Sequence, residues 1–152
     1  MIKIKLSTKL FYLFLPIIGG SLVGFLISGS IDYNNLNQPM FAPPKIAFPI
    51  AWSIIYVLMG IAYYIYRKNN DNDHTIKLYY TQLILNWLWS IIFFSLKLRL
   101  LSILWIIILV ANVYILMKRF KIEEKTSYYL FIPYLIWLLF ATYLNISIYL
   151  LN

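Results

Sequence analysis

Cysteine is missing from this sequence altogether. Its absence excludes disulfides, thiolate metal ligands and cysteine nucleophiles, and leaves the redox compartment unmarked. Charge is scarce as well: only 12% of the 152 residues are charged, and Asp and Glu together number five. A soluble globule of this length needs far more polar surface than that. The five carboxylates (Asp32, Asp71, Asp73, Glu123, Glu124) and the one histidine, His74, are all expected in segments between long apolar runs. No ionisable relay of the kind that proton-coupled transporters keep at membrane depth is therefore expected. Metal-dependent hydrolysis, paired-carboxylate acid/base chemistry and a Ser-His-Asp arrangement are excluded on the same inventory, and no metal site is expected.

What the chain has in abundance is apolar sequence, 62% of its residues. It falls into five runs, roughly 10–28, 46–66, 78–96, 100–117 and 128–151. Each is close to the ~20 residues that cross ~30 Å of hydrocarbon at ~1.5 Å per residue. The expected fold is all-α: an integral membrane bundle of five transmembrane helices, a single domain over 1–152, with no room for a soluble domain. The basic N-terminus followed by an apolar stretch has the outline of a signal peptide. Its span length and the absence of an A-x-A site before Ser28-Gly29-Ser30 favour a retained first helix.

A net charge of +8 raises the question of nucleic acid, but the basic residues sit in short segments beside the spans rather than along one solvated face, so no nucleic-acid partner is expected. With five spans, ten basic residues (Lys3, Lys5, Lys9, Arg67, Lys68, Lys77, Lys118, Arg119, Lys121, Lys125) share one end and three (Lys45, Lys97, Arg99) share the other. The positive-inside rule then puts the N-terminus in the cytoplasm and the first loop and C-terminus outside, in a membrane expected to be a bacterial plasma membrane. Segments 67–74 and 118–126 read as polar connectors, and Lys97-Leu98-Arg99 is short enough to make the third and fourth helices antiparallel neighbours. The first loop, 29–45, differs: Pro39, Pro43 and Pro44 stiffen it, and Tyr33, Leu36, Met40 and Phe41 give it apolar surface. Such a loop is expected to act as a lid over a binding site.

The spans are rich in aromatic and amide side chains. Trp52, Tyr56, Met59 and Tyr63 recur at helical spacing, as do Gln82, Asn86, Trp89 and Phe93, and then Trp137, Ala141 and Asn145. Aromatic planes with a few hydrogen bonders suit a flat apolar ligand. Interfacial anchoring and inter-helix hydrogen bonding explain the same residues, and pattern alone favours that structural reading. Gly20-Ser21-Leu22-Val23-Gly24, extended by Ser28, is a small-xxx-small face suited to close helix packing or dimerisation, and Pro133 is expected to kink or start the fifth helix.

Read together, these segments resemble one known family. Leu36-Asn37-Gln38-Pro39-Met40-Phe41-Ala42-Pro43-Pro44, followed by Phe48-Pro49-Ile50-Ala51-Trp52-Ser53-Ile54-Ile55-Tyr56-Val57-Leu58-Met59-Gly60, is similar to the first loop and second helix of the TspO/MBR family of tryptophan-rich sensory and translocator proteins. Gln82-Leu83-Ile84-Leu85-Asn86-Trp87-Leu88-Trp89 with Phe93-Phe94 resembles its third helix, and the run from Pro133 and Tyr134 through Trp137, Phe140, Ala141 and Thr142 to Asn145 its fifth.

The resemblance implies a five-helix bundle, commonly a homodimer, whose cavity opens toward the first-loop side and binds porphyrins such as protoporphyrin IX. Some family members degrade protoporphyrin in light with two cavity tryptophans, which match Trp52 and Trp137; these are the candidate catalytic residues. Tyr33, Pro43, Pro44, Asn86, Ser90, Ala141 and Asn145 match positions lining or covering the family pocket. The site implied has Trp52 and Trp137 flanking the ring, Asn86 donating or accepting a hydrogen bond, and 33–44 closing over it. No cofactor is required. Met40, Met59 and the tyrosines are the only available axial ligands, so a metal-free tetrapyrrole fits better than haem.

The chain departs from the family at three places. Asp32-Tyr33 stands where Trp-Tyr is usual, Trp105 replaces an acidic residue, and Tyr149 is followed by Leu150, Leu151 and Asn152 rather than by a basic residue. Specific cholesterol binding is not expected on the last count. The implied function is porphyrin binding for sensing, regulation or handling; light-dependent porphyrin oxidation and passive transport of porphyrin or another lipid-soluble molecule are the alternatives.

Overall fold

A computed structural model describes residues 1–152. It contains five helices: α1 (Leu6–Ile27), α2 (Ala47–Asn69), α3 (Asp73–Ser90), α4 (Arg99–Glu123) and α5 (Lys125–Leu151). Four of them, α1, α2, α4 and α5, are long and apolar enough to cross a membrane. The helix α3 is more polar because it carries Gln82, Asn86 and Ser90 inside the bundle, and a π-turn over Ile91–Ser95 prolongs it. The helices close a ring in which α1 packs on α2, α2 on α5, α5 on α4, α4 on α3, and α3 back on α1.

Two connectors expected from the sequence are helical. Asn72 caps α3, its Oδ1 accepting from the backbone N–H groups of His74 (3.0 Å) and Thr75 (3.4 Å), so Asp73 and His74 form a first turn rather than a loop. Likewise 118–123 continues α4, and Glu124 alone separates it from α5. Glu123 consequently lies against the bundle, its carboxylate accepting from Tyr66 (2.8 Å) and Thr75 (2.9 Å) and pairing with Arg119. Pro133 neither starts nor ends α5; it lies within the continuous helix.

The outer surface is apolar. Phe14, Ile18, Leu22 and Phe25 form an exposed ridge on α1, as do Ile50, Ile54 and Val57 on α2 and Leu100, Leu104 and Ile108 on α4. Ridges of this extent need lipid rather than water as their solvent, and the molecule is an integral membrane protein. Its core is aromatic: Tyr63 and Tyr79 stack in parallel with centroids 3.8 Å apart, and Phe120 meets both Tyr66 and Phe131 at 5.2 Å. Gly60 sets the closest helix approach, since a Cβ there would run into the Leu13 carbonyl of α1.

The two ends of the bundle differ. At one, the Ile2 N–H donates to the Lys68 carbonyl and Asn69 to Glu124, which gathers the N-terminus and the α2–α3 and α4–α5 connections. At the other, the first loop is tied to the C-terminus: the Asn37 N–H donates to Asn152 Oδ1 (3.0 Å) and Asn152 Nδ2 to the Asn37 carbonyl (3.0 Å).

Candidate ligand-binding site

At the first-loop end a cavity of about 600 Å³ opens between α1 and α2. One wall is the α1 stripe Ile17, Gly20, Ser21, Gly24 and Ile27, which follows helical spacing. Its glycines act differently: a Cβ on Gly20 would strike the Tyr56 ring, whereas a Cβ on Gly24 would meet nothing within 4 Å. The facing wall is Pro49, Trp52, Ser53 and Tyr56 of α2. Ser90 and Phe94 lie behind, and Ile31, Tyr33 and Phe48 roof it. The π-turn matters here: its Leu96 N–H reaches back to the Ile91 carbonyl (3.0 Å), and within that turn Phe93 stacks on Trp89 (5.4 Å) while Phe94 lines the cavity.

Of the residues singled out from sequence, Tyr33, Trp52 and Ser90 line this cavity. Ala141 and Asn145 line a second, tight crevice of about 20 Å³, whose wall also includes Tyr33, Phe48 and Phe94. Tyr33, Phe48 and Phe94 are common to both linings and together separate the two spaces. Trp137 contributes to neither; its ring stands edge-on to Phe48 (6.0 Å) and to Trp52 (6.3 Å, 90°). The two indoles expected to flank a ligand are neighbours here, set edge to face with ring centroids 6.3 Å apart.

Asn86 is fully buried, and both ends of its amide are engaged: Tyr56 donates to Oδ1 (2.6 Å) and Nδ2 donates to the Tyr134 hydroxyl (3.0 Å). Asn145 is similarly occupied, accepting from Trp89 Nε1 (3.0 Å) and donating to Ser102 (2.9 Å). Each amide ties three helices together. Trp105 donates its Nε1–H to the Leu85 carbonyl (2.9 Å) and fastens α4 to α3.

The roof is held in place by its own polar contacts. Tyr33, 2% exposed, donates its hydroxyl to the Pro43 carbonyl (3.0 Å), and Gln38 donates to the Tyr33 carbonyl (2.9 Å). Burial pushes the Tyr33 phenol above its ordinary value and keeps it a donor. Pro43 serves through that carbonyl, while Pro44 is exposed on the outer surface of the loop. Farther along, Tyr143 of α5 donates to the Met40 carbonyl (2.7 Å). Asp32, found where the family has an aromatic, pairs with Lys97 (3.2 Å) and Arg99 (3.3 Å) of the α3–α4 turn. Burial alone would raise its carboxyl, but the Lys97 hydrogen bond and the charges of Arg99 and Lys97 outweigh that and hold it below the usual value.

Sequence reasoning missed the α1 wall, Phe48 and Phe94. The small-residue stripe at Gly20, Ser21 and Gly24 was the available signal; it marks a cavity wall as readily as a helix contact.

Comparison with known proteins gives a consistent result. A model of the TspO/MBR family matches residues 12–151. The "Tryptophan-rich protein TspO" of Archaeoglobus fulgidus is 43% identical over 122 residues, 79% of each chain. The "Tryptophan-rich sensory protein" of Cereibacter sphaeroides is 33% identical over 149 residues, covering 97% of this chain and 94% of its own. The "Translocator protein homolog" of Schizosaccharomyces pombe is 34% identical over 143 residues, 90% of this chain and 87% of its own.

Proposed function

The chain belongs to the TspO/MBR family of membrane proteins, and from that premise we propose that it binds a metal-free tetrapyrrole such as protoporphyrin IX in the cavity between α1, α2 and the first loop. The cavity carries the proposal: at about 600 Å³ it lies within the ~300–1,000 Å³ of small-molecule pockets, and its wall is apolar and aromatic with few hydroxyls. A flat ring seated there lies against Trp52 and under Tyr33. Movement of Phe48 would join the cavity to the crevice at Ala141 and Asn145 and uncover Trp137, bringing the residues on both sides of the partition into one site. Most of the affinity comes from burying the ring, at ~25 cal/mol per Å² before ordering costs. The segregation of ten basic residues at one end and three at the other supports a cytoplasmic N-terminus in a bacterial plasma membrane, with the cavity toward the outside.

The contact between Trp52 and Trp137 supports a second reading, light-dependent oxidation of the bound porphyrin. In that reading dissolved dioxygen is the oxidant: it accepts the electron that the photo-excited porphyrin gives up and is reduced to superoxide, while Trp52 and the neighbouring indole, with centroids 6.3 Å apart, serve as redox partners beside the ring, so no buried acid or base is needed.

One preparation separates the two. Protoporphyrin is titrated in darkness while tryptophan fluorescence is followed, and the complex is then illuminated. Saturable quenching, weakened in a Trp52→Phe, Trp137→Phe double variant, is the expected result; an unchanged affinity in that variant removes the two residues from the site. Loss of the porphyrin band no faster than in free porphyrin under the same light rejects catalysis.

A further inference from the structure

Lys45 is the one charged residue on the wall of the cavity, and no carboxylate lines it. Of the three basic residues at this end, Lys97 and Arg99 are both engaged by Asp32, whereas the Lys45 ammonium has no ion pair. It stands just before α2, whose first turn contains no acidic residue; the Ala47 and Phe48 N–H groups of that turn donate to the Pro44 and Lys45 carbonyls. The hydroxyls of Tyr33, Ser53 and Tyr56 already donate to protein acceptors and those of Ser21 and Ser90 are neutral, so Lys45 is the one charged donor on the wall. The wall beneath it is apolar. The roof, meanwhile, is tied to the α3–α4 turn, the start of α4 and α5 with its C-terminus through Asp32, Asn37 and Met40, and the side left open is the slot between α1 and α2, bordered by exposed Ser21, Gly24 and Ser53.

We propose that the cavity selects amphipathic acids: the apolar body of the ligand slides between α1 and α2 from the bilayer, and its carboxylate pairs with Lys45 at the rim. This rests on the binding reading above and adds a rule of selection to it. An acid gains a charge-assisted hydrogen bond at Lys45 that its neutral ester cannot make. An equally apolar neutral molecule, a sterol for instance, gains nothing there.

The test compares protoporphyrin IX with its dimethyl ester, and 1-pyrenebutyric acid with its methyl ester, on the wild-type chain and on Lys45→Gln, Lys45→Glu and Lys45→Arg. Lys45 is exposed and supports no side-chain contact, so the variants should unfold at the wild-type temperature, which is measured alongside. The wild type is expected to prefer each acid to its ester. Lys45→Gln should bind the acids about three- to tenfold more weakly and leave the esters unchanged, as befits a partly solvated charge pair. Lys45→Glu should lose more, and Lys45→Arg should keep the preference.

Equal acid-to-ester ratios in wild type and Lys45→Gln overturn the Lys45 assignment while leaving porphyrin binding intact. If the pyrene acid shows the Lys45-dependent preference and neither porphyrin binds, the selection rule stands and the porphyrin reading falls. If neither pair binds, both fall.

Discussion

Single side chains here divide into those that meet the cavity and those that hold the helices around it. Asn86 belongs to the second kind, since its amide is already spent on Tyr56 and Tyr134. Replacing it with leucine leaves two buried phenolic hydroxyls without a partner, each costing about 1–3 kcal/mol. Asn86→Leu should therefore lower the thermal transition in detergent, with affinity per folded molecule changing much less than in Trp52→Phe. A loss of affinity with no loss of stability would instead make Asn86 a ligand contact. This distinction was not legible in the sequence. An amide at helical spacing with aromatics reads equally as a bonding group for a ligand or a bond between helices, and only the positions of Tyr56 and Tyr134 decide. The aromatic stripes were legible because their spacing puts Tyr56, Met59 and Tyr63, and Gln82, Asn86, Trp89 and Phe93, on inward faces.

Among the elements, the first loop and the α1–α2 contact govern access. Asp32 fastens the loop to the α3–α4 turn, and its depressed folded-state pKa gives the pH dependence its sign. The stabilisation is fully present above the ordinary Asp value of ~3.9 and is lost as pH falls through the lower folded value. Amide protection factors over 31–45, which take out the pH dependence of the intrinsic exchange rate, should therefore be steady from neutral pH down to about 4 and fall below it. In Asp32→Asn protection should be lowered throughout and insensitive to pH in this window; protection equal to wild type at neutral pH would show that the ion pair does not hold the roof. Gly60 is the corresponding point between helices. Gly60→Ala forces a Cβ onto the Leu13 carbonyl, and should destabilise the bundle by about 1–3 kcal/mol, read as a lowered thermal transition. Element boundaries were the least legible feature: 118–123 is polar by composition, yet it continues α4 because Glu123 finds Tyr66, Thr75 and Arg119 as partners inside the bundle end. Nothing in a single sequence announces those partners.

For the molecule as a whole, five helices, four of them long and apolar enough to cross a membrane, and two differently charged ends were legible from apolar run length and basic count, since a bilayer constrains both directly. The cavity was not, because its α1 wall is made of absence, the missing side chains of Gly20 and Gly24. That same feature allows the most direct test of a ligand seated between α1 and α2. A Cβ added at Gly24 meets no neighbouring atom within 4 Å, and Gly24 lines the cavity, so Gly24→Phe should fold as the wild type does while placing a ring at the cavity wall. Protoporphyrin titration of the two, followed by tryptophan quenching in darkness, is the decisive measurement. Saturable binding to the wild type, weakened about tenfold or more in Gly24→Phe (~1.4 kcal/mol) at an unchanged thermal transition, is the predicted result. Equal affinity in the two folded proteins would contradict the assignment of the ligand to this cavity.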